Sequence, residues 1–508
     1  MQPRSGLSRR GILQSIAGAA VATTLLPGKA RAERGWGREW EDEDRDLPTR
    51  LRPVPQIKGT PGTEKYWRNV RRAFTLPENY IHMNTGTTGS QPVFSLSNLI
   101  VYNLFKSLDP RDWEANLAAV FPDLYTFPAG GSRIGALQAE IAAMYGANAN
   151  EIVLSYNTSH GLQVVFNGIN WNAGDRIVTT QMEHAAGIGP MAAVRDGYGV
   201  NLAIVDIPSH FDMSVNEFVD LFRVELAKPL PAGAKQYVLI SEIPFKNGLR
   251  LPVKEIVAAA KAAGAWSIVD TAHGWGMLPI HCHDYGADFI AGAGHKWLCG
   301  GPGTGILYIR NQGPNLPQFN YGQEGWGSLF VIPNPRQNNR SAWTPAAALQ
   351  TTGEYNRPAV FAMADSARFF DSIGLQRIYE RGVSLASYLQ SKVAGRWGSG
   401  VLSVSPSADP RFKTLLTAFN PFKAYNDPSQ FSTMLTALNQ VRDALGAGSP
   451  KIYIRSITWR DKAKDPGTAD NRAALRISTH ALYNDPGEID EMFRQVVKAI
   501  DATGLPQA

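Results

Sequence analysis

Cysteine is scarce in this chain, with only Cys282 and Cys299 among 508 residues. Two thiols cannot form the disulfide framework of a small secreted domain, and no feature of the sequence suggests that they are bridged. The run His281-Cys282-His283 is a weak metal motif, because adjacent side chains on a strand point to opposite faces and no second ligand cluster follows it. We therefore expect no metal site.

Long apolar runs and long runs of like charge are also missing. No segment after the N-terminus is long and apolar enough to span a bilayer. The 50 basic and 44 acidic residues are spread along the chain, and the net charge is +6. This pattern predicts a solvated surface and argues against a nucleic-acid partner. A length of 508 residues predicts one large domain with a smaller one, or two large units.

The N-terminus has the features of a targeting signal. Arg9 and Arg10 precede a mildly apolar stretch at residues 16–26, and Ala30-Arg31-Ala32 fits a small-x-small cleavage site. The pattern resembles a twin-arginine export signal, although paired arginines also occur by chance in basic tails. We expect the twin-arginine machinery to export the folded protein to the periplasm, with residues 1–32 removed and no stable membrane insertion afterwards. Residues 33–79, charged and then proline-rich, predict an arm or linker.

Short apolar strands alternate with helices from about residue 130 to 310, which predicts a parallel, doubly wound α/β sheet. One strand, Trp266 to Val269, ends at Asp270; another, Phe289 to Ala291, opens into a glycine-rich turn before Lys296. Ligands gather at the carboxyl ends of such strands, so the acid and the lysine can face one ligand. Apolar surroundings favour the nucleophilic amine of a lysine, and an aspartate can hold a protonated ring nitrogen. Pyridoxal phosphate requires this pair.

A phosphate site is predicted near residue 158. A strand, Glu151 to Leu154, leads into a hydroxyl-rich turn and a helical run, Leu162 to Ile169. Free N–H groups and the positive end of a helix dipole bind anions, so Thr158 and Ser159 are candidate phosphate ligands. A simple helix cap is the alternative. The glycine-rich residues 300–305 lead into an apolar strand instead of the helix that a nucleotide-binding loop needs, so we reject that interpretation.

Three motifs carry a family resemblance: Asp270-Thr-Ala-His273, His295-Lys296-Trp-Leu-Cys-Gly-Gly-Pro-Gly-Thr-Gly305 and Arg476-Ile-Ser-Thr-His-Ala-Leu-Tyr-Asn484. They resemble the class V aminotransferases, a family of pyridoxal-phosphate enzymes, and most of all its isopenicillin N epimerase-like subgroup. The resemblance runs from about Tyr80 to Ile500. It implies a fold-type-I transferase with a mostly parallel, seven-stranded-type sheet between helices in a large domain, residues 80–345. A smaller α+β domain, residues 346–508, and a homodimer with active sites at the interface are also implied.

The resemblance also implies roles for individual residues. Lys296 would hold the cofactor and move the proton at Cα, Asp270 would keep the pyridine nitrogen protonated, and His184 would stack on the ring. His273, where many relatives have glutamine, would face the phenolic oxygen. The implied phosphate ligands are Thr158, Ser159, His295 and, from the neighbouring subunit, Thr351 or Thr352. Arg476 would bind the substrate α-carboxylate, for which a planar guanidinium is suited. The segment Asn84, Thr85 and Gly86 would approach the substrate.

The implied function is formation of a Cα carbanion from an amino acid or an amino-acid-derived metabolite. Epimerisation, transamination and elimination share this step and stay open. Export suggests that the enzyme tailors a secreted or periplasmic product. The alternative, a noncatalytic binding protein on an aminotransferase scaffold, is disfavoured by the intact Lys296 and Asp270.

Two positions depart from the patterns of relatives. Glu242 follows Ser241 where relatives often carry histidine, which suggests an altered substrate choice. Cysteine desulfurases use a mobile thiol well after the lysine, but Cys299 is the only cysteine between Lys296 and Arg476. We therefore predict no persulfide chemistry.

The export signal can be tested by replacing Arg9 and Arg10 together with lysine. Because the twin-arginine pathway reads the arginine pair, an uncleaved, folded precursor should accumulate in the cytoplasm. Cell fractionation and the mass of the mature protein report the outcome. Efficient export of the double variant, or a mature N-terminus away from residue 33, would contradict the assignment.

Overall fold

The structure is a computed structural model that describes residues 50–122, 133–207, 213–310, 349–350, 355–403, 410–425, 427–460 and 471–508. The predicted export signal, residues 1–32, and Thr351 and Thr352 lie outside the described residues. Within the described ranges, no helix has the length and apolar character needed to cross a membrane.

Helices and strands are numbered here in chain order. The helices are α1 (Glu64–Arg71), α2 (Val93–Leu108), α3 (Trp113–Val120), α4 (Arg133–Met144), α5 (Thr158–Gly168), α6 (Ala185–Tyr198), α7 (Val215–Leu226), α8 (Val253–Ala262), α9 (Cys282–Tyr285), α10 (Arg357–Ile373), α11 (Leu375–Trp397), α12 (Phe431–Ala447) and α13 (Pro486–Asp501). The strands are β1 (Tyr80–His82), β2 (Ile152–Ser155), β3 (Arg176–Thr180), β4 (Asn201–Val205), β5 (Gln236–Ser241), β6 (Trp266–Asp270), β7 (Phe289–Ala293), β8 (Gly305–Ile309), β9 (Leu416–Phe419), β10 (Lys451–Tyr453), β11 (Arg455–Arg460) and β12 (Asn471–Ser478).

The predicted doubly wound sheet is confirmed. Seven strands form one sheet in the order β2-β8-β7-β6-β5-β3-β4, and every neighbouring pair is parallel except the two that involve β8. The glycine-rich residues 300–305 lead into β8, as expected, and not into a helix. The β5, β6 and β7 strands lie side by side at the centre, so their carboxyl ends meet at one edge of the sheet.

The central strands are apolar on both faces because helices cover both faces. Along β5, Val238 and Ile240 join one apolar cluster, whereas Tyr237 and Leu239 join another on the opposite face. A parallel sheet covered in this way has continuous apolar strands instead of an alternating pattern. The first cluster includes side chains from α7 and α8, and the second includes side chains from α5 and α6.

The C-terminal part of the chain forms a second, smaller layer. A three-stranded antiparallel sheet, in the order β11-β12-β9, packs with α12 and α13 around its own apolar cluster. α1 packs in the first apolar cluster, through Tyr66, Trp67 and Val70. β1 then pairs in parallel with β10 and contributes Ile81 to the cluster of the small sheet.

Two local expectations need correction. The phosphate-site helix, α5, begins at Thr158 instead of Leu162, and its N-cap is Asn157, whose side chain accepts from the His160 N–H at 2.9 Å. The run around Cys282 is a short helix, α9, and not a strand, so alternation of faces was the wrong argument against a metal. His283 instead bonds Glu151 at 2.6 Å, and the described residues contain no cluster of three or more potential metal ligands.

Candidate active site

Asp270 and the segment before Lys296 lie at adjoining strand ends. Asp270 is the last residue of β6, opposite Ser241 of β5 and Ala291 of β7. Beyond β7 the chain turns through Gly294, whose N–H bonds the Thr304 carbonyl at 2.9 Å. Backbone hydrogen bonds at both strand ends therefore fix the position of Asp270 and of the turn that leads to Lys296.

A glycine clamps a second segment onto the lysine turn. The Gly89 N–H donates to the His295 carbonyl at 2.9 Å, and a Cβ at Gly89 would lie 2.1 Å from the Lys296 carbonyl oxygen. No side chain fits at that distance, so only glycine allows this approach. The turn of residues 84–89 is thereby held against the Lys296 turn.

The charges of Lys296 and Asp270 influence each other. Burial raises the pKa of the Asp270 carboxyl, and the Ala272 N–H at 2.8 Å and the charge of Lys296 oppose that rise. Burial lowers the pKa of Lys296 to about 8, and Asp270 limits the decrease. At pH 7 a lysine with that pKa is roughly one-tenth neutral, whereas an ordinary lysine is almost fully charged. The site therefore provides both a nucleophilic amine and a nearby carboxylate.

His273 has a fixed tautomer. The Trp297 indole N–H donates to its Nδ1 at 3.0 Å, and an indole nitrogen can only donate, so Nδ1 must accept. Burial lowers the pKa of His273 well below its usual value, with Lys296 and Arg476 acting in the same direction, so the ring is neutral. Its proton is consequently on Nε2, which is buried and has no partner within the described structure. His273 thus presents one unsatisfied donor.

The predicted phosphate ligands lie around the start of α5 and the lysine turn. The Thr158 hydroxyl oxygen and the His295 Nδ1 are buried without a hydrogen-bond partner in the described ranges. Ser159 is exposed beside Thr158. Because Asn157 caps the helix, the Thr158 hydroxyl is not used for capping. The simple-cap interpretation of Thr158 is therefore wrong, and its side chain is free for a ligand.

Arg476 is a buried cation without a carboxylate partner among the described residues. Its Nη1 donates to the Phe245 carbonyl at 2.7 Å, its Nη2 to Asn84 Oδ1 at 2.8 Å, and its Nε has no partner. Burial lowers its pKa to about 9, and the charge of Arg455 adds to that effect, yet the group stays charged at neutral pH. An unneutralised buried charge is costly, so this position favours an anionic ligand.

Each of the three residues at 84–86 has a different contact in or beside the site. Asn84 orients Arg476, whereas the hydroxyl of Thr85 meets the hydroxyl of Tyr483. A Cβ at Gly86 would lie 3.0 Å from Arg476 Nη2 and 3.2 Å from His273 Cε1. Gly86 therefore keeps the space between these two side chains open.

His184 caps α6, and its Nδ1 accepts from the Ala186 N–H at 3.1 Å. Its exposed ring meets Phe245 edge-on, with centroids 4.8 Å apart. Burial of part of the ring lowers its pKa, and the charges of Lys296 and Arg455 lower it further. The imidazole of His184 is therefore neutral and close enough to Lys296 for the lysine charge to lower its pKa.

Two ionisable residues at the site had no signal in the sequence. Arg455 lies opposite Arg476 on the neighbouring strand, a pairing that only the register of β11 and β12 reveals. Burial raises the pKa of the Glu183 carboxyl to about 7, while hydroxyl donors Thr180 and Ser241, at 2.7 and 2.6 Å, oppose the rise. Glu183 precedes His184, and the nearby charge of Asp270 also raises its pKa.

Glu242 is bound within a buried network. Its carboxylate accepts hydrogen bonds from Thr271 and Tyr285, and Arg250 lies 3.7 Å away. A Cβ at Gly274 would lie 2.8 Å from Glu242 Oε2, so the network packs directly beneath the turn that carries His273. Glu242 therefore supports the Asp270–His273 turn and leaves no carboxylate oxygen without a partner.

Comparison with known proteins identifies the family. The pattern of the family described as Aminotransferase class-V matches residues 131–490. The chain belongs to the class V aminotransferase family. A probable cysteine desulfurase of Mycobacterium leprae is 29% identical over 248 residues, which cover 47% of this chain and 55% of that relative. The chain thus spans just over half the length of that curated relative.

Solved structures share the fold. The apo cysteine desulfurase from Thermococcus onnurineus superimposes with a TM-score of 0.64 at 19% identity, covering 89% of this chain and all of that one. The cystine C–S lyase C-DES, solved with its product cysteine persulfide, gives 0.61 at 20% identity and covers 82% of this chain and 97% of the other. The architecture is that of a fold-type-I pyridoxal-phosphate transferase.

Pyridoxal phosphate is the cofactor of this family, and the described side chains fit it. The unpartnered atoms Thr158 Oγ1, His273 Nε2 and His295 Nδ1 are all buried, and buried polar atoms normally have partners. The charge of Lys296 acts on both histidines, and Lys296 and Asp270 are the two groups that the aldehyde and the ring nitrogen of this cofactor require. An anionic ligand with several hydrogen-bond acceptors would satisfy those of the unpartnered atoms that donate.

Trp297→Phe tests whether the indole fixes the His273 tautomer. Without the N–H donor, His273 Nδ1 loses its partner, so the absorbance maximum of the bound cofactor and its pH titration should shift. Retention of the cofactor should weaken by up to roughly 10-fold, the value of one hydrogen bond. Nitrogen-15 NMR of the ring reports the tautomer directly.

A second background separates this effect from packing. In His273→Gln protein the amide provides its own donor and acceptor, so adding Trp297→Phe should no longer shift the spectrum. Any loss of thermal stability from the smaller ring should be similar in both backgrounds. An unchanged tautomer and spectrum in the single variant would refute the role of Trp297.

Proposed function

We propose that this protein is a pyridoxal-phosphate-dependent enzyme of the isopenicillin N epimerase-like subgroup that removes a proton from Cα of an amino acid or an amino-acid-derived metabolite. The observation that carries the proposal is the placement of Lys296, with a pKa lowered to about 8, beside Asp270 at adjoining strand ends. Epimerisation, transamination and elimination all begin with this proton transfer, so the reaction that follows is left open.

Lys296 and Asp270 have complementary tasks in this proposal. Pyridoxal phosphate, when bound, withdraws electrons from Cα of the attached amino acid. Lys296 would hold the cofactor through its Nζ, and its neutral amine would be the base that takes the proton from Cα. The Asp270 carboxylate keeps the ring nitrogen protonated, which maintains the electron-withdrawing form of the ring.

The remaining side chains bind and orient. His273 would donate its Nε2 hydrogen to the phenolic oxygen of the cofactor, and His184 would stack on its ring. Thr158, Ser159 and His295 hold the phosphate, helped by the N–H groups that begin α5. In a homodimer, Thr351 or Thr352 would reach the phosphate of the neighbouring subunit.

Substrate binding is assigned to Arg476 and the turn beside it. The guanidinium binds the α-carboxylate, an anion that relieves the cost of its burial. Asn84 fixes the orientation of Arg476, and Gly86 leaves room for the substrate between that side chain and His273. Thr85 supports the turn through Tyr483.

We place the reaction in the periplasm, after export of the folded protein by the twin-arginine machinery. The support is the arginine pair Arg9-Arg10 and the Ala30-Arg31-Ala32 site. Export after folding suits a protein that acquires its cofactor in the cytoplasm. The substrate would then be a metabolite that is secreted or completed outside the cytoplasm.

Persulfide transfer does not fit this chain, although several relatives are named cysteine desulfurases. Its only two cysteines, Cys282 and Cys299, are both buried. Burial raises the pKa of the Cys299 thiol, so the thiolate that would attack a substrate sulfur is disfavoured. Its Sγ is also 3.7 Å from the carbonyl oxygens of Lys296 and Trp297, which places it beneath the lysine turn.

A sulfide assay with cysteine tests the absence of persulfide chemistry. We expect no sulfide release that depends on Cys299, and no persulfide on the protein by mass spectrometry. Elimination from the substrate cysteine would also release sulfide, but at equal rates with the wild type and with Cys299→Ser. This equality distinguishes elimination from persulfide chemistry. Release by the wild type that vanishes in Cys299→Ser, with the cofactor spectrum intact, would overturn the prediction.

The central proposal is tested by mapping the cofactor-bound lysine. Holoenzyme should be yellow, and borohydride should remove the absorbance and leave a pyridoxyl group on the tryptic peptide that contains Lys296. Lys296→Ala should lose the absorbance and Cα deuterium exchange in heavy water, whereas Lys261→Ala, an exposed control on α8, should retain both. A pyridoxyl group on another lysine would refute the site.

The pH dependence of cofactor loading follows from the same lysine. Because its pKa is lowered to about 8, the neutral amine fraction rises as pH increases to about 8 and then levels off. The rate at which apoenzyme gains the bound-cofactor absorbance should follow that curve. A rate that continues to rise tenfold per pH unit up to about 10, as for an ordinary lysine, would show that the amine is not buried in this way.

A further inference from the structure

Two arginines lie side by side in the small sheet. Arg455 of β11 and Arg476 of β12 are directly opposite in an antiparallel pair, so their side chains leave the same face. Both donate to one acceptor, the Thr87 hydroxyl, at 3.1 Å from Arg455 Nη1 and 3.3 Å from Arg476 Nη2. The two guanidinium groups therefore converge on the turn that borders the active site.

Such a pair has no structural advantage by itself. Like charges directly opposite in an antiparallel sheet are destabilising. Neither arginine forms an ion pair with an acid in the part of the chain that the structure describes, whereas Arg442 pairs with Asp443 and Arg494 pairs with Glu491. The unpartnered, buried Nε of Arg476 is a further sign that an anion belongs here.

Arg455 acts on the substrate side of the site. Its charge lowers the pKa values of Lys296, His184 and Arg476. At the other end of the site, the charged group that lowers the pKa of His295 is Lys296. Thr158 and His295 provide the predicted phosphate contacts at that end. The cofactor phosphate is therefore not the anion that Arg455 binds.

We propose that the substrate carries two anionic groups, with the α-carboxylate on Arg476 and a second oxyanion on Arg455. The inference rests on the proposed function and specifies its substrate class. Because both guanidinium groups reach the same hydroxyl, the two anions must be close, with the second one or two carbons from Cα. A side-chain carboxylate or a sulfur oxyanion fits this description.

The depths of the two arginines favour two anions over one carboxylate held by both. Arg476 is 1% exposed and hydrogen-bonded to Phe245 and Asn84 in the interior, whereas Arg455 is exposed to solvent. A single carboxylate bound to the buried Arg476 would leave the guanidinium of Arg455 in water. A second anion further along the substrate would instead contact Arg455. The bound ligand would then cover the guanidinium, so that solvent screens the attraction between the two charges less.

Binding of unreactive acids to the holoenzyme tests the site without any chemistry at Cα. Calorimetry should show that succinate binds roughly 10- to 100-fold more tightly than succinamate, which has an amide in place of one carboxylate. Arg455→Gln should remove this preference, so that succinate and succinamate bind with similar affinity. Arg494→Gln, an exposed arginine on α13, is the matched control and should behave as the wild type.

Substrate pairs provide the second measurement. L-aspartate should exchange its Cα proton in heavy water faster than L-asparagine with wild type, and Arg455→Gln should remove the difference. Equal losses for the acid and the amide in Arg455→Gln would mean that both arginines hold one carboxylate, which overturns the inference, as would equal wild-type affinities for succinate and succinamate. A succinate preference without exchange of any amino acid would uphold the dianion site and refute the proposed Cα chemistry.

Discussion

A lysine that must be partly neutral and an aspartate that must stay charged share one low-dielectric space, and the rest of the site is arranged around that requirement. Burial pushes the pKa of Lys296 down and that of Asp270 up, so either group alone would lose its charge more readily. Their mutual attraction limits both shifts. Because the attraction depends on distance, the strand ends and the two turns beyond them must be rigid, which explains the close backbone approach at Gly89.

Rigidity beneath the site comes from side chains that never touch a ligand. Trp297, the residue after the lysine, stacks on His480, with centroids 5.6 Å apart, and donates to His273. The Glu242 network fixes the same turn from below through Thr271. One aromatic contact and one carboxylate therefore orient the imidazole independently, so the donor at Nε2 is positioned before any cofactor arrives. A preformed site of this kind spends little binding energy on ordering its own side chains.

The sequence was sufficient for the sheet and for the two residues at its centre. Apolar runs that end in Asp270 and in the turn before Lys296 predicted both the strands and their adjacency, because parallel strands place their carboxyl ends together. It was insufficient where the outcome depended on pairing between distant segments. Nothing local shows that Arg455 faces Arg476, that Trp297 donates to His273, or that Asn157 replaces Thr158 as the helix cap. Sequence position also could not show that Glu242 is buried in a network with Thr271 and Tyr285, and its effect on substrate choice stays a prediction.

The electrostatic balance of the site explains why its ligands should be anions. Lys246, Arg455 and Arg476 all lower the pKa of His184, together with Lys296, so positive charge surrounds the imidazole. Asp270 opposes this charge, but Glu183, with a pKa raised to about 7, is only partly ionised at neutral pH and compensates little. Unneutralised charge in a partly buried site destabilises the folded protein, so a ligand that brings phosphate and carboxylate groups removes a strain as well as forming contacts. Binding of cofactor and substrate is thereby coupled to the stability of the fold, because the folded site binds these anions and the unfolded chain does not.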